Sequence, residues 1–338
     1  MKFTPATSRM WSILGSAGTF GQAALDLPVI DDSVLVLTAD LRNFSGLDRF
    51  AAQFPDRLIN VGIAEQNMVG IAAGLANEGS NVFATTYATF ASARSADPVR
   101  VNMGYMGLGV KLVGMASGFS VGVLGPTHMS LEDLAIMRAI PNMTVISPAD
   151  CTETVKATLA LAEHPGPAYL RLGGGVPHPV VHRGDYDFTI GRGIRLSDGE
   201  DVAIVATGSV VHQAVQAAKE LQENGLAVSV IDMHTVKPLD TELLDELFDT
   251  VGAIVTVEEH SIYGGLGSAV AEHKALRREA PPQLILGVRD VFPHAGDYNF
   301  LIEQAGLSGS QIAAATLQLV EGRYRKSGGG PLSRVSLV

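Results

Sequence analysis

Leu58-Ile-Asn-Val-Gly-Ile-Ala-Glu-Gln-Asn-Met68 decides the fold. A short apolar run ends at Val61-Gly62, and a helical pattern rich in small residues then begins, with Gly70, Ala72, Ala73, Gly74 and Ala76. A strand passing directly into a helix is the repeating unit of α/β proteins. The junction places one carboxylate, Glu65, in the first helical turn. An acidic residue there is the ordinary electrostatic choice, because the N-terminal end of a helix is partially positive. What sets Glu65 apart is its downstream company, Tyr87-Ala-Thr-Phe90 and Gly125-Pro-Thr-His128.

Outward from that junction the alternation continues. Strands are predicted at 34–39, 58–61, 82–85, 109–115, 143–147 and 168–172, separated by helices that include 8–25, 64–77, 131–138 and 151–163. Residues 173–194, opening Gly173-Gly-Gly-Val-Pro-His-Pro179, read as a linker. A second series follows, with strands at 202–206, 227–231, 253–257 and 284–288 and helices at 211–224, 240–248, 267–276 and 309–320. The expectation is two α/β domains with mostly parallel sheets, 1–172 and 195–323, and a flexible tail, 324–338.

Composition agrees. The 338 residues are 46% hydrophobic and 17% charged, as a large buried parallel core requires. A net charge of −11 argues against nucleic acid or an anionic membrane as partner. The single Cys151 excludes an internal disulfide framework. No uncharged apolar run is long enough for a membrane span, and the N-terminal residues lack the pattern of an export signal. The reading is a cytoplasmic protein.

Several short motifs occur in a telling order: Thr38-Ala-Asp-Leu41, Val61-Gly-Ile-Ala-Glu-Gln-Asn-Met68, Tyr87-Ala-Thr-Phe90, Gly125-Pro-Thr-His128, Arg138-Ala-Ile-Pro-Asn142, Ser147-Pro-Ala-Asp150, and Val257-Glu-Glu-His260 with Gly264-Gly-Leu-Gly-Ser268. Together they resemble the transketolase family of thiamine-diphosphate enzymes, over the second half of a full-length transketolase: its pyrimidine-binding domain and its C-terminal domain. The resemblance implies catalytic roles for Glu65, at the cofactor's pyrimidine N1′, and for His128, as acid–base or oxyanion partner of the substrate. It implies cofactor contacts from Asp40, near the thiazolium, and from the rings of Tyr87 and Phe90. Arg9 matches a phosphate-contacting arginine loosely, and Gly264–Ser268 has the form of a weak anion-binding turn.

Departures from the family are equally informative. The Gly-Asp-Gly motif and downstream Asn that hold diphosphate and Mg²⁺ are absent, so no metal ligand is assigned to this chain. The resemblance then implies a partner subunit that supplies them, in an α2β2 heterotetramer. Leu124 stands where sugar-phosphate transketolases carry an acid that reads substrate hydroxyls. Ala116 replaces a phosphate-binding histidine, and Gly173-Gly-Gly175 replaces a phosphate arginine, with Arg171 nearby. Arg42 and Arg94 are alternative anion partners. The implied activity is transfer of a two-carbon ketol unit from a ketose to an aldehyde. Rival readings are a 2-oxo-acid dehydrogenase beta subunit, a deoxyxylulose-phosphate-synthase-like carboligase, and a non-catalytic paralogue that stabilises a partner.

Overall fold

The computed structural model describes residues 1–322; the tail at 324–338 lies outside the described residues. The strands are β1 (Val34–Thr38), β2 (Leu58–Asn60), β3 (Asn81–Tyr87), β4 (Lys111–Ser117), β5 (Thr144–Ile146), β6 (Ala168–Gly173), β7 (Ile194–Ser197), β8 (Val202–Thr207), β9 (Val228–Asp232), β10 (Thr235–Lys237), β11 (Ile254–Ser261) and β12 (Gln283–Val288). They form two sheets, ordered β10-β5-β6-β4-β3-β1-β2 and β12-β11-β8-β9-β7. Every pairing is parallel except β10 with β5 and β7 with β9, which are antiparallel. Two α/β domains with mostly parallel sheets are therefore what the chain builds.

The central strands are buried on both faces. Lys111–Ser117 and Val202–Thr207 are buried at every position, as expected where helices cover both sides of a parallel sheet. Helix Glu65–Asn77 packs on β3, and helix Pro5–Ala24 packs on helix Cys151–Glu163 around Trp11, Ala23, Cys151 and Val155. The two domains also share apolar core. Leu37, Met68 and Val145 of the first join Ala203, Val205 and Met233 of the second in one cluster.

Some elements differ from the sequence expectation. β10 lies within the second half of the chain yet completes the first sheet, pairing Thr235 with Ile146 and Lys237 with Val145. β7 forms an edge strand where the sequence reads as polar connection. Beyond Phe90 the chain forms two π-helical stretches, Phe90–Arg94 and Val99–Tyr105, around a short α-turn at Ala96–Pro98. The helix predicted from residue 131 begins two residues later, at Asp133 after Glu132, and Ser130 bridges Gly118.

Candidate active site

In a parallel sheet the carboxyl ends of neighbouring strands open on one edge, where loops converge and ligands bind. Four strands adjacent in the first sheet, β4-β3-β1-β2, deliver Glu65, Asp40, Tyr87, Phe90 and His128 from that edge. Asp40 follows β1, Glu65 follows β2, Tyr87 ends β3 with Phe90 just beyond, and His128 lies in the loop after β4.

Glu65 begins its helix, and its neighbours on the buried stripe are Met68, Val69, Ala72 and Ala73. That i, i+3, i+4, i+7, i+8 spacing turns the carboxylate toward the core, and Glu65 is only 4% exposed. The helix N-terminus has no capping side chain, so its dipole supports the carboxylate. Arg94 Nη1 lies 2.8 Å from Glu65 Oε1, and among the described residues no hydrogen bond reaches Oε2. Gln66 Nε2 donates to the Arg94 carbonyl at 2.8 Å, tying the helix start to the π-turn.

Three rings meet edge to face beside this carboxylate. Tyr87 and Phe90 centroids are 5.9 Å apart, Tyr87 and His128 5.5 Å, and Phe90 and His128 5.3 Å. Phe44 packs on Tyr87 at 4.7 Å. Partial burial pushes the Tyr87 phenol above its ordinary pKa, so it stays protonated. The Arg94 guanidinium lies over the Phe90 ring, 3.9 Å from its centroid. His128 Nδ1 is 3.0 Å from the Thr127 hydroxyl.

Asp40 takes a left-handed backbone, φ 59°, which Asp tolerates better than most residues. Asn60 fixes it there. Asn60 Oδ1 accepts from the amides of Asp40 and Gly62 at 3.1 and 3.0 Å, and Nδ2 donates to Asp40 Oδ1 at 2.9 Å. Asp40 and Asn60 line a cavity of about 570 Å³ with Arg42, Asn43, Ala51, Pro55 and Leu58.

Other expected contributors stand apart. Arg9 is exposed on the first helix, and among the described residues no hydrogen bond, ion pair or ring contact joins it to the carboxylate and rings. Leu124 is exposed at the edge of the His128 loop. Arg171 is buried against Asp133, with Nε 2.9 Å from Oδ2, so it cannot serve a substrate. Arg42 pairs with Asp48 at 2.9 Å. The Gly264–Ser268 turn holds no open anion site: Glu258 accepts from the amides of Leu266 and Gly267 at 2.7 and 2.8 Å, filling the helix N-terminus from within.

Arg94 is the main residue that a purely sequential reading undervalues. Its position four residues past Phe90 is a signal that was available, since such spacing brings side chains together on a helix. Asn60 carried a weaker signal, an Asn at a strand end before Gly62.

One buried group has metal-binding donor types. Glu153, His182 and Asp232 come within 4.8 Å of one another. However, His182 Nε2 touches Asp232 Oδ2 at 2.7 Å, a direct hydrogen bond with no gap for an ion. Burial raises both carboxyl pKa values, and the neighbouring acids add to it.

The family model of the transketolase pyrimidine-binding domain matches residues 18–174, and that of the transketolase C-terminal domain matches residues 191–312. The chain belongs to the transketolase family. A 6-deoxy-6-sulfo-D-fructose transketolase subunit of Clostridium sp. (strain MSTE9) is 41% identical over 306 residues, which are 90% of this chain and 94% of that subunit. A 1-deoxy-D-xylulose-5-phosphate synthase of Crocosphaera subtropica is 36% identical over 303 residues, 89% of this chain but 47% of the synthase. A solved structure described as a split-gene transketolase, inactive beta4 tetramer, superposes with a TM-score of 0.82 at 40% identity, covering 90% of this chain and 98% of that one. Transketolase membership implies dependence on thiamine diphosphate. The residues present fit its aminopyrimidine: a buried carboxylate with Oε2 unclaimed, beside aromatic rings and a polar imidazole.

Proposed function

We propose that this chain is the C-terminal subunit of a split, thiamine-diphosphate-dependent transketolase that moves a two-carbon ketol unit from a ketose to an aldehyde. The observation that carries this reading is the buried Glu65 carboxylate at a helix start, paired with Arg94, whose guanidinium lies on the Phe90 ring that meets Tyr87 and His128. When bound, the cofactor supplies an acidic thiazolium C2–H and an electron sink for ketone chemistry.

The chain's own residues would do the following. Glu65 would hold the pyrimidine by a hydrogen bond at N1′ and so favour the form of that ring that can take up a proton. Phe90 and Tyr87 wall that ring and exclude water. Asp40, fixed by Asn60, faces the thiazolium side. His128 would hold or move a proton at the substrate oxygen. Leu124 and Val123 present methyl groups where the family's acid would read sugar hydroxyls, so an ordinary pentose phosphate is not the substrate we favour.

The partner is the second half of the proposal. No Gly-Asp-Gly motif occurs in the sequence, so the ligands for diphosphate and Mg²⁺ would come from an N-terminal subunit, in an α2β2 assembly. The beta4 tetramer described as inactive fits a subunit that needs such a partner. No described helix is long and apolar enough to cross a membrane, and a cytoplasmic location belongs to the same reading. The match to a deoxyxylulose-phosphate synthase supports a second reading, a carboligase whose donor is a 2-oxo acid that releases CO2 as its remaining acyl fragment joins an aldehyde.

The test is reconstitution with a chain carrying Gly-Asp-Gly and its downstream Asn, assayed with ketose donors and with pyruvate. Glu65→Ala is expected to lose donor cleavage by orders of magnitude. An undiminished rate in that variant sinks the assignment, and turnover of pyruvate alone selects the second reading.

A further inference from the structure

The Val257-Glu-Glu-His260 run belongs to the second domain, yet its side chains reach the loop that carries His128. That loop leaves β4 at Gly118 and closes on itself where Gly118 N donates to Ser130 O at 2.9 Å. At its first turn the Phe119 amide donates to Glu259 Oε1 at 2.5 Å. Glu259 Oε2 accepts from the hydroxyls of Ser209 and, at 2.6 Å, Tyr298. Burial, reinforced by the Glu259 charge, raises the Tyr298 phenol well above its ordinary pKa, so it remains a donor.

The rest of the loop base is held by the same neighbours. Arg171 Nη2 donates to the carbonyls of Ser130 and Glu259, at 3.2 and 2.9 Å. Ser261 N donates to Leu131 O at 2.7 Å, and Ala135 N donates to His260 Nε2 at 3.3 Å. Phe119, Met129 and Leu131 are buried in the apolar core of the second domain, with Val202, Val257 and Leu301. Gly118 is also required: its φ is +60°, and a Cβ there would lie 2.1 Å from Glu259 Oε1.

We infer that Glu259 is a positioning residue for His128, fixing the turn at Gly118–Phe119 and through it the loop that presents the imidazole. Its 1% exposure and its bonds to three donors join the loop, β11 and the helix Tyr298–Gln304 through one side chain. Because a displacement of about 1 Å can cost 10²-fold in rate, a side chain that never meets substrate still controls turnover. This inference rests on the reading of His128 given above.

The test uses the chain assembled with its partner, plus hydrogen exchange of peptides spanning 118–131 in the full chain. Glu259→Leu is expected to lower kcat by about 10- to 100-fold with KM unchanged, and to raise exchange across the loop. Glu259→Gln should restore most of both, because its amide oxygen still accepts from Phe119 and its NH₂ can donate to the two hydroxyl oxygens. In a His128→Ala background, Glu259→Leu should add no further loss. Wild-type kcat in Glu259→Leu, or a double variant slowed by the product of the two separate effects, overturns the inference. Full activity of His128→Ala overturns the reading of His128 and this inference with it; a slow His128→Ala beside a wild-type Glu259→Leu overturns the inference alone. Should Glu259→Leu not fold, Tyr298→Phe is the deciding variant: a several-fold fall in kcat with faster loop exchange supports the inference, and an unchanged kcat overturns it.

Discussion

Arg94 and Glu65 form a half-buried ion pair, with Nη1 2.8 Å from Oε1 and side-chain exposures of 45% and 5%. The same guanidinium lies on the Phe90 face, so one cation organises both the carboxylate and the ring expected to meet the pyrimidine. Exposure of the arginine screens the pair, which limits its worth to roughly 1 kcal/mol, with stacking adding about as much again. Arg94→Ala should lower the stability of the isolated chain by about 1–2 kcal/mol, seen as a lower urea midpoint. Arg94→Lys should recover little, because an ammonium cannot pair and stack in one plane. An unchanged midpoint in Arg94→Ala would remove the pair from the account of this site.

The isolated chain should bind thiamine diphosphate poorly. Glu65 and the rings offer a pyrimidine seat, but the proposed ligands for the diphosphate and its metal belong to the partner. Calorimetry is expected to give a Kd weaker than about 1 mM, near −4 kcal/mol, insensitive to Mg²⁺. Tight, Mg²⁺-dependent binding by this chain alone would contradict the divided site.

A third expectation concerns pH. Burial first, then the neighbouring Asp150, raises the Asp232 pKa well above its ordinary value. A raised carboxyl binds its proton more readily folded than unfolded. Its contribution to stability is therefore greatest below the ordinary carboxylate range and falls as pH climbs toward the raised value. Asp232→Asn keeps a hydrogen-bonding group beside His182 but cannot ionise. The stability difference, variant minus wild type, should thus grow with pH from about 4 upward, by up to about 1.4 kcal/mol per pH unit within the window. A difference that stays flat from pH 5 to pH 8 in thermal melts would show that Asp232 titrates normally.

Gly265→Ala tests the internal cap of the Leu266–Lys274 helix. A Cβ at 265 would lie 1.8 Å from Glu258 Oε2, displacing the carboxylate from the amides of Leu266 and Gly267. The cost should be about 2–4 kcal/mol, combining overpacking with lost hydrogen bonds to a charged acceptor. Thermal unfolding measures it, and a loss below about 0.5 kcal/mol, the size of an ordinary surface substitution, would mean the turn relaxes freely.

Much of this was legible because it follows from local rules. Apolar runs such as Leu112-Val113 and Ala203-Ile-Val-Ala206 mark buried parallel strands; Asp40 and Glu65 stand just past strand ends, Tyr87 closes a strand and His128 lies in the loop after another, on the edge where a parallel sheet gathers its ligand groups. The π-helical stretches near Phe90 escaped because their period is not the 3.6 that pattern reading seeks. β10 escaped because three residues before Pro238 read as connection. The bond from Phe119 to Glu259 joins positions 140 apart, and nothing local to either residue announces the other.

The crossing of β10 into the first sheet bears on how this polypeptide can be cut. Thr235 and Lys237 cover the outer edge of β5, and Lys237 Nζ anchors there on the carbonyls of Arg138 and Ile140. Fragments divided near residue 180 would leave β5 with a bare edge open to non-native pairing, and would strand β10 without a mate. Proteolysis at the midpoint should thus release two sticky pieces that refold only when mixed, and any shortened version of the protein must keep 235–237 with the first sheet.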